Sequence, residues 1–151
     1  MKNAKLNILI IEDNRKHQVD AMMCYSSDFS GKAKVVFAKT YMEAERHLTS
    51  GKIDGVISDI HFPLSDNPNW SQPEPIGAMV MVLCKERGIP CILNTDGSHH
   101  GSRNQWICCL QRALGLPEIV DASDDHTKES PTKQWKKAFK ALLGEIRKTK
   151  K

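Results

Sequence analysis

Acidic and hydroxyl side chains stand at the ends of three apolar runs in this sequence. Glu12 and Asp13 come directly after LNILII, Asp59 follows GVIS, and Thr95 follows CILN. Three carboxylates in one crevice would repel one another unless a cation compensates their charge. Mg²⁺ favours a few carboxylates together with a carbonyl and waters. The pattern therefore predicts a magnesium pocket built from the ends of neighbouring strands.

A carboxylate whose charge is compensated can act as a nucleophile toward a phosphoryl group and form an acyl phosphate. Asp59 is the candidate for that role, and the Thr95 hydroxyl is a candidate hydrogen-bond donor to a phosphoryl oxygen. Plainer interpretations stay open at this point. Glu12 and Asp13 can serve as strand-end residues that cap the next helix, and Asp59 can be a turn residue.

The elements that must position these residues alternate along the chain. Apolar runs typical of buried strands are separated by amphipathic segments typical of helices, and this order predicts a parallel sheet with helices on both faces, an α/β doubly wound fold. Ligands of such sheets bind beyond the carboxyl ends of the strands, where the acidic residues stand. The predicted strands are 6–11, 34–38, 53–60, 91–94 and 118–122. The first predicted helix follows Asn14, which can cap it, and the others cover 41–49, 77–87, 102–114 and 132–148. Thr40 and Glu43 form a predicted capping box at the start of the second helix.

The last helix, 132–148, is amphipathic and basic. Ser130 and Pro131 are its predicted cap and first-turn proline, and eight of the 22 lysines and arginines lie in residues 132–151, against Glu145 alone. We interpret the basic side as a solvated face or a contact for an acidic protein. Nucleic acid is not an expected partner, because no helix-turn-helix or other reading element remains once the domain is built.

One segment has no helical or strand pattern. Residues 61–76, HFPLSDNPNWSQPEPI, contain four prolines and are predicted to form a long non-helical loop. The 151 residues are enough for one ordinary domain, 1–151. No apolar run approaches the roughly 20 residues that cross a bilayer. The N-terminal run ends in acids and lacks a cleavage site, so we expect a cytoplasmic protein without membrane insertion.

Three segments resemble motifs of the response-regulator receiver domain of two-component signalling. They are ILIIEDN (8–14), DGVISDIHFP (54–63) and ILNTDG (92–97), with Asp59 following Asp13 by 46 residues and Thr95 following Asp59 by 36. The resemblance covers about residues 5–148 in order and spacing. It implies a five-stranded, doubly wound sheet of flavodoxin-like order 2-1-3-4-5 with helices on both faces.

The resemblance also implies roles for individual residues. Glu12 and Asp13 would hold Mg²⁺ directly or through water, and Asp59 would be both a metal ligand and the phosphoacceptor. His61 would offer its backbone carbonyl to the metal. Thr95 would be the hydroxyl that moves toward the phosphoryl group.

The family has a lysine just after the fifth strand that pairs with the phosphoryl group, and this sequence departs from that pattern. In IVDASDDHTKESP the expected place is held by Asp121, Ala122 or Ser123. Lys128 is the candidate, provided that the loop folds inward.

By resemblance, the chain is a divergent, stand-alone receiver. It would take a phosphoryl group from a histidine kinase or a phosphotransfer protein and signal by contacts with an unknown downstream protein. It would not be an enzyme beyond the self-phosphorylation and dephosphorylation of Asp59. Two alternatives remain open: a receiver-like protein-binding module that is not phosphorylated, and a metal-dependent phosphohydrolase that uses the same carboxylates.

Overall fold

The computed structural model describes residues 4–97, 104–122 and 132–150, which form an α/β structure. The strands are β1 (Leu6–Ile11), β2 (Ala33–Ala38), β3 (Gly55–Ser58), β4 (Phe62–Pro63), β5 (Pro73–Glu74) and β6 (Cys91–Leu93). The helices are α1 (Arg15–Asp28), α2 (Tyr41–Ser50), α3 (Gly77–Glu86), α4 (Gln105–Ala113) and α5 (Trp135–Thr149).

The main sheet is parallel, with strand order β2-β1-β3-β6. The predicted fifth strand, 118–122, is reduced in the structure to one parallel bridge between Asn94 and Val120. Val120 still makes two ladder bonds there, because its amide donates to the Leu93 carbonyl (2.8 Å) and its carbonyl accepts from the Thr95 amide (2.9 Å). Pro117 has no amide hydrogen, so it cannot donate a further hydrogen bond that would extend this ladder toward the N-terminal end of the segment. The doubly wound fold is confirmed, with four full strands and a fifth position held by this bridge.

Both faces of the main sheet are covered, which explains why the fully buried part of β1, Ile8 to Ile11, is apolar at every position. Leu9 packs in a cluster with Met81 of α3, whereas Ile10 packs on the opposite face in a cluster with Phe139 of α5. Successive side chains of a strand point to opposite faces, so a strand between two helical layers needs apolar residues at every position.

The predicted caps of the first two helices are confirmed. The Asn14 side chain accepts hydrogen bonds from the backbone of Lys16 at the start of α1, and the Thr40 hydroxyl accepts from the Glu43 amide at the start of α2. α1 therefore begins directly after the acidic pair of β1. In the part of the chain that the structure describes, no helix is both long and apolar enough to cross a membrane.

The C-terminal helix begins later than the sequence predicts. α5 starts at Trp135 rather than at residue 132, and its N-cap is Gln134. Lys133 instead forms an antiparallel bridge with Ala122, and the Gln134 side chain donates to the Asp121 carbonyl (3.2 Å). These contacts keep the segment before α5 extended, so Lys133 is not on the helix. The predicted caps at residues 130 and 131 lie outside the described residues.

The proline-rich segment 61–76 is non-helical for most of its length, as predicted, but it carries structure of its own. β4 and β5 form a two-residue antiparallel ribbon, and a short 3-10 helix at Pro68–Trp70 lies between them. The Met42 amide at the start of α2 donates to the Leu64 carbonyl (3.1 Å), which fixes the ribbon to the body of the protein. The prolines in β4 and β5 have no amide hydrogen to donate, which keeps the paired part of the ribbon short.

Candidate functional site

The three predicted carboxylates meet at the carboxyl edge of the main sheet. Ile11 of β1 pairs with Ser58 of β3, so the residues that follow these two strands are neighbours. One ligand oxygen from each of Glu12, Asp13 and Asp59 lies within 4.8 Å of the other two. The predicted acidic pocket is therefore present in the geometry of the protein.

Backbone amides hold one oxygen of each of two of these carboxylates. The Asn14 amide donates to Oε1 of Glu12 (3.0 Å), and the Ile60 amide donates to Oδ1 of Asp59 (2.7 Å). Glu12 is fully buried, whereas the Asp59 side chain keeps 12 % of its surface exposed. Asp59 is thus oriented by its own backbone and still reachable from outside.

A buried lysine completes the pocket, and it is not the one that the sequence predicts. Nζ of Lys133 lies 2.9 Å from Oδ2 of Asp59 and also donates to Oε2 of Glu12. The lysine side chain has no exposed surface. It reaches the pocket because the bridge to Ala122 carries the chain back to the sheet edge just before α5.

Burial and charge act in opposite directions on these groups. Burial raises the pKa of Glu12, and the attraction of Lys133 only partly opposes it. Burial also raises the pKa of Asp13. For Lys133, burial alone would lower the pKa, but the carboxylates of Asp59 and Glu12 outweigh it and hold the pKa above its usual value. Lys133 is therefore a permanent cation at neutral pH.

The donor set fits a hard divalent cation. Three carboxylates facing one ammonium leave an excess of negative charge, and oxygen ligands of Mg²⁺ at about 2.1 Å lie up to about 4.2 Å apart. The carboxylate oxygens lie within 4.8 Å of one another, so only small side-chain movements would bring them to the distances between Mg²⁺ ligands. Both oxygens of Glu12 and both oxygens of Asp59 already accept hydrogen bonds, so a metal bound directly to either residue would share an oxygen with its present donor.

Thr95 stands at the same edge, because its strand β6 is the neighbour of β3. The residue is buried, and its hydroxyl accepts a hydrogen bond from the Gly97 amide (3.2 Å). The hydroxyl hydrogen remains free to donate to another acceptor. The structure thus holds Thr95 in a tight turn directly beyond the strand, with Asp96 as the next residue.

The remaining predicted site residues have different outcomes. His61 lies two residues after Asp59 and is half-buried, and its predicted metal-ligating carbonyl stays a prediction. Lys128 lies outside the described residues. Lys133 was missed because it directly precedes the apolar stripe of the last helix and was assigned to that helix's basic face. No local pattern indicates this position, because Lys133 reaches the pocket only through its bridge to Ala122.

Gly77, at the start of α3, lies directly against the backbone that carries Asp59. A Cβ at this position would come within 2.2 Å of the Asp59 carbonyl oxygen and 2.8 Å of the Ile60 Cα. Only glycine fits this close approach, which brings the end of the proline-rich segment back beneath the acidic pocket.

We expect Gly77→Ala to lower the free energy of unfolding by about 1–3 kcal/mol, the usual cost of overpacking. Gly144→Ala is the matched control, since nothing lies within 4 Å of its added Cβ, and helix propensity predicts a gain of up to about 1 kcal/mol. Urea unfolding of both variants measures the difference. Equal stabilities would show that the close approach at Gly77 is not a constraint.

Comparisons with known proteins give the fold but no close relative. No protein-family model and no curated protein matches the sequence. Among solved structures, the chain resembles a CheY-like response regulator receiver domain protein from Methanospirillum hungatei at 13 % identity and a TM-score of 0.65, covering 97 % of this chain and 98 % of that one.

Two further structures share the fold. A phosphorylated cyanobacterial phytochrome response regulator matches at 16 % identity and a TM-score of 0.59, covering 93 % of this chain and 91 % of that one. The receiver domain of a Saccharomyces cerevisiae response regulator, solved with its histidine phosphotransfer signalling protein, matches at 16 % identity and a TM-score of 0.52, with 78 % of each chain covered. At these identities the likeness establishes the fold, and the predicted resemblance to receiver domains is confirmed at that level.

Proposed function

We propose that this protein is a receiver domain that accepts a phosphoryl group on Asp59 in the presence of Mg²⁺ and signals through protein contacts. One observation supports this most strongly: Nζ of Lys133 lies 2.9 Å from Oδ2 of the aspartate that closes β3. Receiver domains pair a lysine with the phosphoacceptor, and the place just after the fifth strand where the family has it holds no lysine in this sequence. Lys133 supplies it from an unexpected position in the chain.

In the proposed reaction, a carboxylate oxygen of Asp59 attacks the phosphorus of a phosphohistidine. The new O–P bond forms as the P–N bond breaks, and the departing imidazole keeps the electron pair and takes up a proton. Glu12, Asp13 and Asp59 would hold Mg²⁺, which when bound would supply positive charge for the phosphoryl oxygens. Lys133 then pairs with the added phosphoryl group in place of the bare carboxylate, and the Thr95 hydroxyl donates to one of its oxygens.

The phosphoryl donor that we propose is a histidine kinase or a histidine phosphotransfer protein. The yeast receiver domain of similar fold was crystallised with such a phosphotransfer protein, which supports this class of partner. The downstream protein is unknown, and the effect on it would come from a surface that responds to the charge on Asp59. These partners imply a cytoplasmic site of action.

Binding of beryllofluoride, a phosphoryl analogue, tests the proposal. The Trp135 ring lies 5.9 Å from Nζ of Lys133, so a variant in which Trp70 and Trp106 are replaced by phenylalanine reports on the pocket through the one remaining tryptophan. We expect a saturable fluorescence change that requires both Mg²⁺ and beryllofluoride. The absence of any response at millimolar concentrations, confirmed by unchanged amide NMR spectra, would contradict phosphorylation of Asp59.

A second function is favoured by the burial of Lys133. Its ammonium is fully enclosed and bonded to Glu12 and Asp59, an arrangement that can also pin three chain segments together with no phosphoryl transfer. The protein would then be a receiver-like binding module. Under this alternative Asp59→Asn leaves the affinity for a protein partner unchanged, whereas phosphorylation-dependent signalling requires that the variant lose the response.

On acidification, the affinity for Mg²⁺ is expected to fall at a higher pH than it would at a site made of carboxylates with ordinary pKa values. The pKa values of Glu12 and Asp13 are raised above the usual 4.5 and 3.8, so protons compete with the metal at higher pH than they do elsewhere. In the metal-free protein the same raised pKa values stabilise the fold at low pH, and this contribution is lost as the pH rises through them.

Titration calorimetry with Mg²⁺ at several pH values measures this dependence. A loss of affinity that begins at a higher pH than the protonation of exposed carboxylates is the expected result. An affinity that falls only where exposed carboxylates become protonated would mean that Glu12 and Asp13 do not form the metal site.

A further inference from the structure

A histidine outside the acidic pocket is buried against the turn that carries Thr95. His17 lies in α1 with only 6 % of its surface exposed. Its Nε2 is 3.2 Å from Oδ2 of Asp96, a residue 79 positions further along the chain. The contact joins α1 to the turn after β6, across the carboxyl edge of the sheet.

The surroundings of the ring determine which nitrogen carries the proton. Nδ1 of His17 is buried and has no hydrogen-bond partner within the described ranges 4–97, 104–122 and 132–150. A proton on Nδ1 would bury a donor without an acceptor, which is costly, whereas a bare lone pair there costs less. The proton of the neutral ring is therefore on Nε2, and His17 donates to Asp96.

Both ends of this hydrogen bond are anchored to groups of the proposed site. On the α1 side, Gln18 donates to the Glu12 carbonyl (2.6 Å), so the helix is fastened to the acidic pair. On the other side, Asp96 directly follows Thr95, whose hydroxyl accepts from Gly97. His17 thus connects the metal-binding half of the pocket with the half that carries the switch hydroxyl.

We infer that His17 is a positioning residue that tethers the Thr95 turn to α1 and restrains its movement toward Asp59. The Asp96 carboxylate is 55 % exposed, so without the hydrogen bond to His17 it would be surrounded mainly by solvent and would not be fixed by packing. Without the hydrogen bond, the turn moves at a lower cost in free energy. Less of the binding free energy of a phosphoryl analogue is then used to reorganise the protein. This inference deepens the proposed function and rests on it for its binding test, but the tether itself does not depend on phosphorylation.

Two variants of His17 test the inference. His17→Phe keeps the ring shape and removes the donor, whereas His17→Gln keeps an N–H near the position of Nε2. Beryllofluoride affinity in the presence of Mg²⁺ is expected to rise about three- to tenfold in His17→Phe, the factor that corresponds to one net hydrogen bond, and to stay at the wild-type value in His17→Gln. A merely structural role would lower the affinity or leave it unchanged in His17→Phe, and either result overturns the inference.

A double-mutant cycle separates the tether from the charge of Asp96. Asp96→Ala removes both, so His17→Phe should add nothing in that background. Asp96→Asn removes the charge but keeps an acceptor, so His17→Phe should retain its full effect there. Additive effects of His17→Phe and Asp96→Ala would show that the two residues act separately and would overturn the inference.

Hydrogen exchange in the absence of any analogue makes the test independent of the proposed function. The Gly97 amide is expected to exchange several-fold faster in His17→Phe than in wild type or in His17→Gln. Unchanged exchange would overturn the tether. If wild type binds no beryllofluoride but the exchange difference is present, the proposed function fails and the tether stands.

Discussion

Replacing Lys133 with methionine is expected to lower the free energy of unfolding by about 3–5 kcal/mol, the cost of removing one partner from a buried ion pair. The lysine side chain has no exposed surface and neutralises a fully buried Glu12 as well as Asp59. Methionine fills a similar volume and leaves no large cavity, so the decrease in the free energy of unfolding measures the effect of removing the positive charge. The two carboxylates left behind would share one pocket without a cation.

Urea unfolding measures this loss, with Lys137→Met as the matched control. Lys137 is an exposed residue of α5, and its replacement should change the stability by no more than about 0.5 kcal/mol. Because the folded-state pKa of Lys133 is raised above 10.5, its contribution is fully present below that pH and is lost as the pH rises through the folded value. Wild type and variant should therefore converge at strongly alkaline pH. A loss below about 1 kcal/mol at neutral pH would contradict a neutralising role.

Asp59→Asn is expected to abolish uptake of a phosphoryl group and to leave the fold intact. An amide oxygen is not a nucleophile toward phosphorus, so acetyl phosphate with Mg²⁺ should produce no mass increase. The stability should fall by less than in the Lys133 variant, because Glu12 still neutralises the lysine. The single asparagine oxygen can replace the acceptor for Lys133 or for the Ile60 amide, so one of these two hydrogen bonds is lost.

The control for this variant is Asp66→Asn in the proline-rich segment, where the carboxylate is exposed. Intact-mass measurement should show wild-type phosphoryl uptake in Asp66→Asn and none in Asp59→Asn. Uptake that persists in Asp59→Asn would identify another acceptor and remove Asp59 from the proposed role.

The parts of this protein that could be predicted from sequence depend on local patterns. A run of consecutive apolar residues, such as ILII at 8–11, predicts a strand between two helical layers, and the residues after such strands must meet at one edge. Glu12, Asp13 and Asp59 were found in this way. Asn14 and Thr40 were recognisable as caps because capping depends on the next three residues alone.

The parts that could not be predicted depend on where distant segments return. Lys133 enters the pocket only because a bridge to Ala122 holds it extended, and the sequence places it beside a helical stripe that gives no sign of this. The contact of His17 with Asp96 likewise joins residues 79 positions apart, which follow two strands that are not neighbours in the sheet. Side-chain periodicity contains no information about such pairings.

Mapping the phosphoryl group in the wild-type protein tests the proposed function most directly. After incubation with acetyl phosphate and Mg²⁺, reduction with borohydride converts an acyl phosphate to an alcohol, and fragmentation of the peptide 53–85 then locates the modified residue. We expect one phosphoryl group per chain, at Asp59, and none when Mg²⁺ is withheld. No modification, or a modification at any other residue, would contradict the assignment of Asp59 as the phosphoacceptor.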